Sequence, residues 1–96
     1  MDSISCCRYE YFAEALANET RQAILDLLKD RRLSVADIVA HFPLSQSAVS
    51  HHLALLRRVG VVLAQRQGKH VYYSINCCCL QKCTRRLLAP FVRQRG

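Results

Sequence analysis

Ser45-Gln46-Ser47-Ala48-Val49-Ser50-His51-His52-Leu53-Ala54-Leu55-Leu56-Arg57-Arg58 is the stretch that decides the fold. Val49, Leu53 and Leu56 recur at i, i+4 and i+7, one face of an α-helix, and leave Gln46, Ser47, Ser50, His51 and Ala54 on the opposite face. Ser45 is placed to cap this helix, which the spacing predicts over Gln46 to Val59, and Gly60 is the expected stop signal. The outer face therefore begins with small, hydrogen-bonding side chains at the helix N-terminus. A helix that enters a DNA major groove needs this arrangement, because Gln can pair with adenine and Ser with either strand.

Working outward, Ser34 caps a preceding short helix, expected from Val35 to Phe42, which Pro43 ends. Two helices joined by a turn of about three residues make a helix-turn-helix. Upstream, Arg8 to Ala17 and the run containing Ala23-Ile24-Leu25 and Leu27-Leu28 predict two more amphipathic helices. Downstream, Val61 to Arg66 and His70 to Ile75 are β-rich runs around Gln67-Gly68-Lys69, a hairpin. Asn76 caps a last helix expected to reach about Val92, with Leu80, Cys83, Leu87, Leu88 and Phe91 as its apolar stripe. The expected fold is mainly α with a β-hairpin wing, in the order α-α-α-α-β-β-α, as a single domain over residues 1–96.

Composition agrees with a polyanion partner. Fourteen Lys and Arg against seven Asp and Glu give a net charge of +7, and a dimer would carry twice that. Charge alone would suit a membrane surface or a merely solvated face equally well; the helix-turn-helix decides for double-stranded DNA. Arg57 and Arg58, with Arg66, Lys69 and His70 around the hairpin turn, suit phosphates and a minor groove. Ser45 serves as cap as much as phosphate contact, and His52, bordering the apolar face, is read as packing. No apolar run approaches the roughly 20 residues of a membrane span, and Met1-Asp2-Ser3-Ile4-Ser5 lacks a secretion-signal pattern, so a cytoplasmic protein is expected.

The Ser-Gln-x-x-Val-Ser-x-His-Leu-x-x-Leu run from Ser45 resembles the ArsR/SmtB family of winged-helix metal-responsive repressors. Ala15-Leu16-Ala17-Asn18-Glu19-Thr20-Arg21 resembles the family's entry to its second helix, and Gln67-Gly68-Lys69-x-Val71-Tyr72-Tyr73 its wing. The resemblance implies a homodimer held by the first and last helices, repressing from a two-fold symmetric operator until an inducer arrives. Two of the family's sensing sites are missing here. Leu33-Ser34-Val35-Ala36-Asp37 stands where relatives place a Cys-x-Cys pair, and no His follows His70 to build the zinc site of others.

Sensing then falls to the six cysteines, three of them consecutive. Cys77, Cys78, Cys79 and Cys83 open the last helix, and Cys6 and Cys7 precede the first. Thiols in a first helical turn, near Lys82, Arg85 and Arg86, are expected to favour the thiolate, the competent metal ligand. A sulfur-only site selects soft ions: arsenite first, then antimonite, cadmium, lead or copper(I). On a regular helix only Cys79 and Cys83, at i and i+4, share a face. A third sulfur therefore needs an irregular first turn or the N-terminal pair, with Cys78 as the first choice, Cys77 next, and Cys6 and Cys7, from the same or a partner subunit, last. Two alternatives remain open: a thiol redox or persulfide switch on the same fold, and effector-blind DNA binding. A thiol enzyme is not expected, since the chain has no Cys-x-x-Cys, nucleophile turn or cofactor loop.

Overall fold

The computed structural model describes residues 8–91. Cys6, Cys7 and Val92 lie outside them. In chain order the elements are α1 (Tyr9–Leu16), α2 (Glu19–Leu28), β1 (Leu33–Ser34), α3 (Val35–Val39), α4 (Gln46–Val59), β2 (Val62–Gln67), β3 (His70–Ile75) and α5 (Cys77–Leu88). The helices and the hairpin fall where the sequence puts them. The sheet has one strand more than expected: β1 pairs antiparallel with β3, Leu33 opposite Tyr73 and Ser34 opposite Tyr72, giving the order β1-β3-β2. Two residues are too short to show a period of two, so no pattern in the sequence announces them.

Local chemistry sets the helix ends. Ser34 and Asp37 form a capping box: the Asp37 N–H donates to Ser34 Oγ at 3.2 Å and the Ser34 N–H to Asp37 Oδ2 at 3.1 Å. α3 ends at Val39, three residues before the expected Phe42. There the bonds shorten to i→i−3, from the N–H of His41 to Ile38 and of Phe42 to Val39, as the chain unwinds ahead of Pro43. The connection to α4 is correspondingly longer than three residues. α5 likewise stops at Leu88, where Pro90 has no N–H with which to extend it.

One cluster of buried side chains holds these elements together. Phe12 and Ala15 of α1, Ile24, Leu25 and Leu28 of α2, and Ile38 of α3 meet Val49, Leu53, Leu56 and Val59 of α4. Val61, Val62, Cys79 and Cys83 close it from the sheet and α5. Arg21 of α2 reaches back over α1. Its Nε donates to the Ala15 carbonyl at 2.6 Å and one terminal nitrogen to the Glu14 carbonyl at 3.2 Å, while Gln22 Nε2 donates to Leu16 at 2.6 Å. The bonds to Ala15 and Leu16 satisfy carbonyls that the end of a helix leaves without intrahelical partners, and Glu14, which already accepts the Ala17 N–H at 3.2 Å, gains a second donor.

Candidate nucleic-acid interface and cysteine site

α4 has the geometry of a groove-entering helix. Ser45 Oγ accepts the Ala48 N–H at 3.0 Å, so the cap is formed. Val49, Leu53 and Leu56 are fully buried, and Gln46, Ser47, Ser50, His51 and Ala54 are exposed on the other face. His52 is half-buried, and its Nδ1 lies 3.4 Å from an Arg21 guanidinium nitrogen. Arg21 can only donate, so Nδ1 accepts and the proton sits on Nε2. Burial, then the Arg21 charge and the neighbouring His51, lower the His52 pKa, which suits a neutral packing residue.

The C-terminus of α4 closes with Gly60 in the left-handed region, φ 103°. The Gly60 N–H bonds the Arg57 carbonyl at 3.0 Å and the Val61 N–H bonds that of Leu56 at 3.1 Å, the two bonds of a Schellman motif. Arg57 and Arg58 are exposed here, about 18 Å along the axis from Gln46 at 1.5 Å per residue. Arg58 also borders a hollow of about 400 Å³ shared with Arg8, Tyr11 and Glu14.

The wing carries the other basic group. Gln67 pairs with His70 around Gly68-Lys69, and only Gly68 has positive φ, 65°, as a type II′ turn requires of its first central residue. Arg66, Lys69 and His70 are exposed. Among the described residues none of Arg57, Arg58, Arg66 and Lys69 is held in an ion pair, whereas Lys29 pairs with Asp26 at 3.5 Å. Sequence reasoning missed Arg32. Its guanidinium donates to Gln67 Oε1 at 2.9 Å and Gln65 Oε1 at 3.4 Å and lies 5.0 Å from the centre of the Tyr72 ring, bracing the turn-side half of the wing.

α5 divides its cysteines between two faces. Cys77 and Cys78 are exposed; Cys79 and Cys83 are buried, at 0% and 2%, with their Sγ atoms 4.0 Å apart. A tetrahedral thiolate site with metal–sulfur bonds of 2.3 Å has sulfurs about 3.8 Å apart. The Cys79–Cys83 pair therefore fits one edge of such a site. Among the described residues no three His, Cys, Asp or Glu side chains converge into a metal-sized group, so α5 does not bring Cys77 or Cys78 to the pair. α1 lies alongside: the Arg86 guanidinium sits 4.2 Å from the centre of the Tyr9 ring. The Arg8 N–H bonds the Val59 carbonyl at 2.7 Å.

Comparison with known proteins agrees with this geometry. The family described as "Bacterial regulatory protein, arsR family" matches residues 18–63. The transcriptional repressor SdpR of Bacillus subtilis (strain 168) is 41% identical over 71% of this chain and 76% of its own length. The arsenical resistance operon repressor of Escherichia coli (strain K12) is 44% identical over 64% of this chain, but the match spans only 53% of that protein. Among solved structures, a possible transcriptional regulator for arsenical resistance superposes with a TM-score of 0.76 at 30% identity, covering 83% of each chain. These relatives are transcriptional regulators and not enzymes, and the winged-helix architecture is shared with them. The chain belongs to the ArsR family of bacterial DNA-binding transcriptional regulators.

Proposed function

We propose that this protein is a cytoplasmic, homodimeric repressor that binds a two-fold symmetric operator and is released when a thiophilic ion, arsenite first, binds its cysteines. In this reading Gln46, Ser47, Ser50 and His51 contact bases. Ser45, Arg57, Arg58, Arg66, Lys69 and His70 hold phosphates or the adjoining minor groove. The observation that carries the sensor half is the Cys79–Cys83 pair, two sulfurs 4.0 Å apart on the face of α5 turned into the core.

A third sulfur completes a trigonal site. Cys77 and Cys78 reach the pair only if the first turn of α5 unwinds. Cys6 and Cys7, outside the described residues, are the further candidates; Arg8, next in the chain, is bonded to the end of α4, and Tyr9 is stacked on Arg86 of α5. The dimer is supported by apolar side chains left exposed on the two helices that the family pairs: Tyr11 on α1, Leu88 on α5 and Phe91 just beyond it.

A redox switch between Cys79 and Cys83 themselves is disfavoured by helix geometry. Cβ atoms at i and i+4 stand about 5–6 Å apart, and a disulfide requires about 3.5–4.5 Å. An oxidation sensor would have to link α5 to Cys6 or Cys7. Operator binding measured with arsenite under strong reductant separates the two chemistries. Release under those conditions supports ion sensing, and release only after oxidant supports the redox reading.

A further inference from the structure

The last turn of α4 is held by the same two segments that carry the cysteines. Three successive carbonyls beyond the last intrahelical bonds each accept one donor from outside the helix. Val59 accepts the Arg8 N–H at 2.7 Å, Gly60 accepts Asn76 Nδ2 at 3.0 Å, and Val61 accepts the Asn76 N–H at 2.8 Å. Arg8 follows Cys7 in the chain and Asn76 precedes Cys77. Asn76 does double service, because its Oδ1 also accepts the Cys79 N–H at 3.3 Å as the cap of α5. One half-buried amide thus spans, through its two ends, the backbone of the inward-facing Cys79 and the stop residue of the groove-entering helix.

We infer that Asn76 is the positioning residue that transmits occupancy of the Cys79–Cys83 pair to α4. This rests on the sensor reading above. The two sulfurs already stand 4.0 Å apart, so it is completion of a trigonal site around them by Cys78 or Cys77 that unwinds the first turn of α5. The Cys79 amide moves with it, and the Asn76 side chain cannot follow while keeping its bond to Gly60. Gly60 is the pivot of the Schellman motif, so losing or dragging that bond re-seats the C-terminal turn of α4, and with it Arg57 and Arg58. A sulfur from Cys6 or Cys7 would pull on the Arg8–Val59 bond at the same junction. No covalent rearrangement is needed, only exchange of one hydrogen bond between two arrangements.

Asn76→Asp keeps the acceptor for the Cys79 amide and removes the donor to Gly60, and Asn76→Ser keeps a capping oxygen without adding charge but has too short a side chain to span from the Cys79 amide to Gly60. For native protein and both variants, three quantities are measured: operator affinity by anisotropy with and without arsenite, the number of thiols that arsenite protects, and amide exchange across residues 57–63. In the native protein arsenite weakens operator binding and alters exchange in that stretch. In both variants arsenite should protect the same number of thiols, while the fold-weakening of operator binding drops at least tenfold and exchange across 57–63 no longer responds. Variants released as fully as the native protein overturn the relay and leave the sensor reading standing. A native protein that binds arsenite and stays on its operator overturns both. Should a variant lose operator binding outright, the exchange response across 57–63 decides alone.

Discussion

At the scale of single residues, the two buried cysteines and His52 carry the most direct consequences. Cys79→Ala or Cys83→Ala removes one sulfur from the core, where the cavity left is small and costs about 1 kcal/mol. Operator binding should stay within about threefold of native while arsenite-dependent release is lost, as anisotropy would record. Release that survives both substitutions removes the pair from the site. His52 gives a pH signature. Its pKa in the fold lies below the ordinary 6.5, chiefly through burial. The unfolded chain then binds the proton more readily, so the contribution to stability is present above pH 6.5 and is lost as pH falls through 6.5 toward the folded value. Thermal melts of the native protein should therefore lose Tm between pH 7 and 5.5, and His52→Gln should flatten that slope. An equal slope in the variant assigns the pH dependence elsewhere.

At the scale of elements, α4 and the wing divide the work of binding, and different measurements separate them. Gln46→Ala should cost about 1–3 kcal/mol on the cognate operator and little on unrelated DNA. Lys69→Ala should weaken both alike and reduce the salt slope of log Kd by about 0.9. Arg32→Ala removes the brace to Gln65, Gln67 and Tyr72 and should weaken operator binding severalfold with little change in Tm.

These elements also show what the sequence discloses. α4 is legible end to end, because its cap, its buried stripe and its Gly60 stop are all local signals within sixteen residues. The division of α5 into an inward Cys79–Cys83 face and an outward Cys77–Cys78 face is half legible: Cys83 falls in the apolar stripe and Cys79 shares its face, but only packing shows that the stripe is buried at Cys83 and left exposed at Leu88 and Phe91. β1 is not legible, being two residues long, and neither is the Arg32 brace, whose partners Gln65 and Gln67 lie 33 and 35 residues away. The clamp of Asn76 on Gly60 is hidden for the same reason, although its capping of α5 is plain from sequence.

For the whole molecule, assembly and allostery are one question. A chain of 96 residues leaves much of its surface unburied, and Leu88 and Phe91 are among the large apolar side chains left exposed, at 46% and 80%. Replacing both with Ser should shift the protein toward monomer in sedimentation. It should also weaken operator binding by at least tenfold, since one chain contacts only one half-site. A variant that stays dimeric places the interface elsewhere. The central claim is that an ion held by the α5 cysteines lifts this assembly off DNA. The most direct measurement is titration of arsenite into operator-bound protein under strong reductant, followed by fluorescence anisotropy. The account predicts a saturable fall to the value of free DNA, absent in the Cys79→Ala/Cys83→Ala double variant; anisotropy that holds constant while the thiols are titrated would contradict it.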